Sequence, residues 1–161
     1  MLRLFQIVNL LSGQNEIACI GLNDERKERF PEINYGFSEE IIIKKSMLSR
    51  YVDFVIGLIF SRIPASVYMF RSRSIESWID VNRQRFDRII LFQIRSCIFI
   101  SDFRNVYIDL VDLISLNYKS EILNSNNVRS LFYRNEAKRL KDYERFVIKS
   151  AEKCALINPS E

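Results

Sequence analysis

The sequence predicts an α/β fold built on a parallel sheet with helices on both faces, and three observations carry that prediction. Short β-branched runs alternate with longer segments whose apolar residues recur every three or four positions. Residues 106–111 read as a strand, with Val106, Ile108 and Leu110 alternating with Tyr107, Asp109 and Val111, and Asp112 then stands where a following helix needs its cap. A length of 161 residues with 48% hydrophobic content suffices for one real core, but not for a second full domain.

Residues 1–12 are apolar at nearly every position and Gly13 is placed to stop a helix, so a buried helix is expected there. Residues 16–22 form a short β-branched run and read as a strand. The stretch 23–37 alternates in charge sign and carries Pro31 and Gly36, as a solvated loop does. A second strand is built on Ile41, Ile42 and Ile43. From Ser46 to Phe60, Met47, Leu48, Tyr51, Val52, Val55, Leu58 and Ile59 recur with helical spacing behind a serine cap. Core packing is the commoner use of such a stripe, and a membrane surface is the other.

Residues 61–73 are irregular around Pro64, and a helix over 74–85 carries Ile75, Trp78 and Ile79 on one face. A strand at 86–92, a short helix at 93–100 and the strand at 106–111 follow. Two helices, 113–123 and 128–151, are separated by the turn-forming Asn124, Ser125, Asn126 and Asn127. Residues 154–157 read as a last strand. On the longer helix Val128, Leu131, Phe132, Leu140, Tyr143, Phe146 and Val147 share one face, and Asn135, Glu136 and Arg139 fall inside it. Polar groups within an apolar stripe must be satisfied, either by a ligand or, as Glu136 and Arg139 can be at i, i+3, by each other.

Composition excludes several chemistries. With no histidine, a Ser/His or Cys/His nucleophile and any ordinary zinc site are ruled out, and neither metal nor cofactor is expected. Cys19, Cys97 and Cys154 lie far apart without CxxC spacing and read as free thiols of a reducing compartment. Neither GxGxxG nor a Walker-type phosphate loop is present. The longest apolar run, 54–60, is too short to span a bilayer, and no signal-peptide pattern opens the chain. A cytoplasmic protein is expected, able to touch a membrane surface.

The net charge is +4 and the pI about 9.0, which suits anionic partners. Between residues 127 and 153, eight Lys/Arg stand against four Asp/Glu, so the whole excess of four is local to the last helix. Nucleic acid ranks last among those partners, because Phe132, Tyr133, Tyr143 and Phe146 mostly lie on the apolar face rather than among the charges.

In open α/β sheets ligands bind at the carboxyl ends of the strands, which directs attention to Asp109, Asp112 and Ser115. The plainer reading of the two carboxylates is structural: Asp112 caps a helix and Asp109 pairs with a nearby arginine. Four stretches in sequence carry a resemblance. They are Arg3 at the opening of the first helix, FQIR at 92–95, DLVDLISLN at 109–117 and EAKRLKDYE at 136–144.

In this order and spacing the chain resembles the N-terminal half of a bacterial family 4 (group 1) glycosyltransferase, of the exopolysaccharide and cell-envelope type. The resemblance implies a GT-B enzyme of two Rossmann-like domains, with residues 1–161 forming the acceptor-side one. Arg3, Gln93, Arg95, Asp109, Asp112 and Ser115 would line or brace the cleft, and Glu136 and Arg139 would hold the last helix against the sheet. The nucleotide-sugar donor would need a C-terminal domain that this sequence does not contain. The acceptor would be a polysaccharide or a lipid-linked sugar at the inner face of the plasma membrane.

The family's first strand and Gly-rich loop, expected just before Arg3, have no counterpart here, nor does its N-terminal-domain histidine. The resemblance therefore implies a half truncated at both ends and inactive alone. The competing expectation is a free-standing α/β module that binds a partner protein without catalysis.

Overall fold

The computed structural model describes residues 2–24, 37–111, 113–124 and 127–156. The chain is mixed α/β and falls into two compact units, residues 1–48 and 49–161.

In the first unit, helix α1 (Leu2–Ser12) ends where Gly13 follows, and its last turn is closed by Gln14 N–H and the Asn15 side-chain amide, both donating to Leu11 O. The greasy composition of α1 does not bury it all round: Val8 is buried, but Leu10 is exposed. Strands β1 (Ala18–Asp24) and β2 (Glu39–Lys45) pair in parallel, from Ala18 opposite Glu39 to Asp24 opposite Lys45. The solvated loop expected at 23–37 lies almost wholly outside the described residues.

The second unit begins within helix α2 (Met47–Phe60) and continues through a short helix α3 (Ala65–Tyr68) to α4 (Arg73–Asn82). Strand β3 (Ile89–Phe92) leads through a 3₁₀ segment (Ile94–Phe99) to β4 (Val106–Leu110). Helices α5 (Ile114–Asn124) and α6 (Asn127–Ser150), packed along each other, then carry the chain to β5 (Lys153–Leu156). The order is β3-β4-β5, all parallel, with Leu91 opposite Ile108 and Ile108 opposite Cys154. β4 is the middle strand, so both its faces are covered: Val106, Ile108 and Leu110 are buried on one and Asp109 on the other. Ile75, Ile94, Cys97, Leu140 and Val147 complete this core.

Every pairing is parallel, as expected, and among the described residues the strands divide between a two-stranded and a three-stranded sheet. Period-2 patterning identifies strands without saying which edges meet. Two predicted core stripes also differ. On α6, Leu131 and Phe146 are exposed, and so is Asn135, while Glu136 and Glu144 are buried beside Leu140 and Val147. The buried line therefore runs through positions 136, 140, 144 and 147, with two carboxylates inside it.

On α2 the predicted core stripe faces outward. The helix is anchored from its Gly57 side, where a Cβ would stand 2.6 Å from Tyr68 Cβ and 3.2 Å from Ala65 Cα. That approach brings α2 close against α3, and it turns Leu48, Val52 and Ile59 away from the contact.

Candidate functional site

The motifs converge on the carboxyl edge of β3 and β4. β3 ends at Phe92, and Gln93 N–H extends its ladder by donating to Asp109 O at 2.9 Å. Gln93 itself has φ 65° and ψ 154°, a conformation that glycine adopts freely and other residues adopt only at a cost of about 1–3 kcal/mol. It is held there from behind, because its carbonyl accepts from the Ser96 amide at 3.2 Å and the Ser96 hydroxyl at 2.8 Å. The resulting kink starts the 3₁₀ segment and sets Arg95 just beyond the strand end.

Arg95 is half-buried, and its guanidinium lies over the Phe70 ring at 4.9 Å. Arg50 of α2 lies over the same ring at 5.4 Å. The Arg95 Nε is buried without a hydrogen-bond acceptor, and among the described residues Arg95 has no carboxylate partner. A guanidinium so placed is only partly compensated by an aromatic face, which makes it an attractive seat for an anion. Its charge is also felt by Tyr118 on α5. Burial, more than any other influence, pushes that phenol above its usual range; the Ser66 hydrogen bond and Arg95 pull it down, and Glu136 pushes it up.

Beneath this edge, α6 supplies two carboxylates in matching roles. Glu136 Oε1 accepts from both the backbone N–H and the hydroxyl of Ser66 at 2.8 Å. Glu144 accepts from the backbone N–H of Ser115 at 3.0 Å and from its hydroxyl at 2.5 Å. Each serine is the second residue of its helix, α3 or α5, so each glutamate acts as a borrowed N-cap for orphan amides.

Arg139 stands 3.7 Å from Glu136 and donates to the carbonyls of Gly57 at 2.7 Å, Ile63 at 2.8 Å and Ser61. The pair thus fastens α6 to the end of α2 and the start of α3.

The structure brings together Gln93, Arg95 and Asp109 at one sheet edge. Asp109 is buried at the end of the middle strand, and its charge raises Cys154, although burial is the larger cause there. Ser115 is buried, and its hydroxyl donates to Glu144. Asp112 and the side chain of Arg3 lie outside the described residues. Phe70, Arg50, Tyr118, Ser66 and the capping role of Glu144 were missed from sequence. Only Glu144 left a signal: it repeats Glu136 eight residues later on the same helix face.

The opposite, amino edge of the same sheet opens into a concavity of about 1280 Å³, whose walls include Arg83, Phe86, Arg88, Asp102, Arg104 and Glu152. Arg104 pairs with Asp102 at 2.7 Å, and Arg83 approaches the same carboxylate at 3.8 Å. Its charges therefore largely cancel. Among the described residues no metal-binding cluster occurs. No family model, no curated protein and no solved structure matches the chain, so the site is read on its own geometry.

Proposed function

We propose that this chain is the acceptor-side half of a GT-B glycosyltransferase, serving transfer of a sugar from a nucleotide-sugar donor to an envelope or exopolysaccharide acceptor. The observation that supports it best is Arg95, a half-buried guanidinium without a carboxylate partner among the described residues, set by the kink at Gln93 just past the carboxyl end of a parallel strand. That is where α/β sheets take ligands. In this reading Arg95 holds the anionic part of a lipid-linked acceptor, a phosphate or diphosphate. Asp109 braces the strand end beside it.

In this reading the donor and the residues that activate it belong to the second domain of the GT-B fold. The place of this chain is the cytoplasm, at the inner face of the plasma membrane where such acceptors reside. Retention of configuration without a metal is the chemistry this reading carries.

Calorimetric titration with a short-chain prenyl-diphosphate-linked monosaccharide tests it. Binding is expected, and Arg95→Ala should weaken it at least tenfold, or about 1.4 kcal/mol, while Arg104→Ala at the far edge leaves it unchanged. Absence of binding, or equal loss in both variants, would refute the reading and favour a free-standing protein-binding module.

A further inference from the structure

Packing sorts the charges of α6 by sign. Of its three carboxylates Glu136 and Glu144 are buried, while Arg134, Lys138, Lys141, Arg145 and Lys149 are all exposed. These five recur at intervals of four, three, four and four residues, so they form a line about 22 Å long within about 80° of the helix circumference, with a cation about every 5.6 Å. Asp142, the one carboxylate of α6 left exposed, stands beside the line rather than in it. Among the described residues none of the five cations has an ion-pair partner. Like charges three and four residues apart repel, and they destabilise a helix that carries them. An anionic partner laid along the line removes that repulsion.

The shape of the line selects the partner. A second helix with acidic residues at the same intervals presents carboxylates at the same repeat of about 5.6 Å, so each cation meets one when the two helices lie side by side. Paired helices choose one another through such charged rows beside an apolar seam. Apolar side chains are present here too: Leu131 and Phe146, 71% and 56% exposed, stand on the Asp142 side of the line. Exposed ion pairs count for little singly, so the row and these apolar contacts must act together.

Nucleic acid fits less well. A major groove is bounded by two rows of phosphates, which call for cations on both flanks of an entering helix, whereas a single central line would face base edges. A single strand needs stacking platforms among the charges, and Phe146 is the only exposed aromatic residue of α6. Nor does α6 turn a broad apolar face outward, and no helix among the described residues is long and apolar enough to cross a membrane.

We infer that the outward line of α6 docks an acidic amphipathic helix of a partner protein, with its carboxylates on Arg134, Lys138, Lys141, Arg145 and Lys149 and its apolar edge on Leu131 and Phe146. This goes beyond the sugar-transfer reading and does not require it.

Fluorescence anisotropy of the full chain with a labelled, stapled helical peptide tests it. The peptide carries glutamates at the intervals of the line and leucines beside them, and a control of the same composition scatters both around the helix. The patterned peptide is expected to bind at least tenfold more tightly than the scattered one, and more weakly as salt is raised. Lys141→Glu with Arg145→Glu should abolish that preference. Arg73→Glu with Arg85→Glu, an equal change of net charge at exposed residues outside α6, should keep it. If circular dichroism shows that the first pair unfolds the protein, Lys141→Gln with Arg145→Gln, and separately Phe146→Ser, are expected to weaken binding of the patterned peptide while leaving the scattered one unchanged. Equal binding of the two peptides, or equal loss in the two charge-reversed proteins, would overturn the proposal. So would tighter binding of a single-stranded oligonucleotide, or of phosphatidylglycerol vesicles, that the changes at Lys141 and Arg145 abolish. No saccharide is present, so failure here leaves the saccharide titration standing, and the reverse holds as well.

Discussion

Gln93 holds a backbone conformation that favours glycine, and it does so beside the buried carboxylate at the end of the middle strand. Gln93→Gly is therefore expected to stabilise the protein by about 1 kcal/mol, since relief of ~1–3 kcal/mol of strain exceeds the extra chain entropy of glycine, ~0.5–1 kcal/mol. Urea unfolding would show the gain, and a loss would mean that the kink is unstrained.

Glycine matters in the opposite sense at position 57. Alanine would add about 0.8–1 kcal/mol of helix propensity, but its Cβ would meet Tyr68 Cβ and a backbone atom of Ala65, neither of which can swing aside. Overpacking of that kind costs ~1–3 kcal/mol, so Gly57→Ala is expected to lower stability by roughly 1–2 kcal/mol net. A raised melting temperature would contradict the close approach.

At the surface, the Arg104 hydrogen bond and charge hold the Asp102 carboxyl at about 2. A folded value below the unfolded one means that this pair stabilises the fold above the ordinary aspartate range and ceases to do so as pH falls through about 2. Carbon-detected NMR titration should find Asp102 low, and Arg104→Ala should return it toward the usual range; an unmoved value would place its cause elsewhere.

Among the elements, α6 does the most to assemble the second unit, and it does so through buried carboxylates. Glu136→Ala would leave two donors of Ser66 and the Arg139 guanidinium uncompensated, and about 3 kcal/mol is the expected cost. Asn135→Ala, one position away on the exposed side, should stay within about 0.5 kcal/mol. Glu136 and Glu144 lie about 12 Å apart along the helix and cap different helices. Their effects should therefore add, whereas Glu144 and Ser115 should couple by ~1 kcal/mol or more in a double-mutant cycle. Coupling between the two glutamates would show that α3 and α5 move together rather than being capped separately.

These roles were half legible beforehand. The spacing of Glu136 and Arg139 announced a polar pair on a helix face, but that face was drawn through Leu131 and Phe146, which are exposed. Periodicity assigns a helix its most apolar side, while the true inward side was decided by serine amides some 30 and 70 residues away in sequence.

For the whole molecule, stability should concentrate in the three-stranded sheet. β4 is central, and Val106, Ile108 and Leu110 are almost fully buried. Amide exchange of residues 106–110 is expected only through global unfolding, and that of exposed α1 positions such as Leu10 through local opening. Exchange from β4 as fast as from Leu10 would mean that the sheet opens on its own.

What the sequence by itself determined was the succession of elements, for nearly every helix and strand stands within a few residues of its expected place, because patterning, caps and glycine stops act over a few neighbouring residues. The placing of Gln93 and Arg95 after one strand, and of Asp109 at the end of the next, was determined in the same local way. Tertiary structure alone decided that the described strands form two sheets, that two glutamates enter the core, that Arg95 rests on Phe70 and that α2 turns its apolar face outward. Each of these depends on partners distant in the chain, whose meeting is settled by packing and by the satisfaction of buried polar groups rather than by any local period.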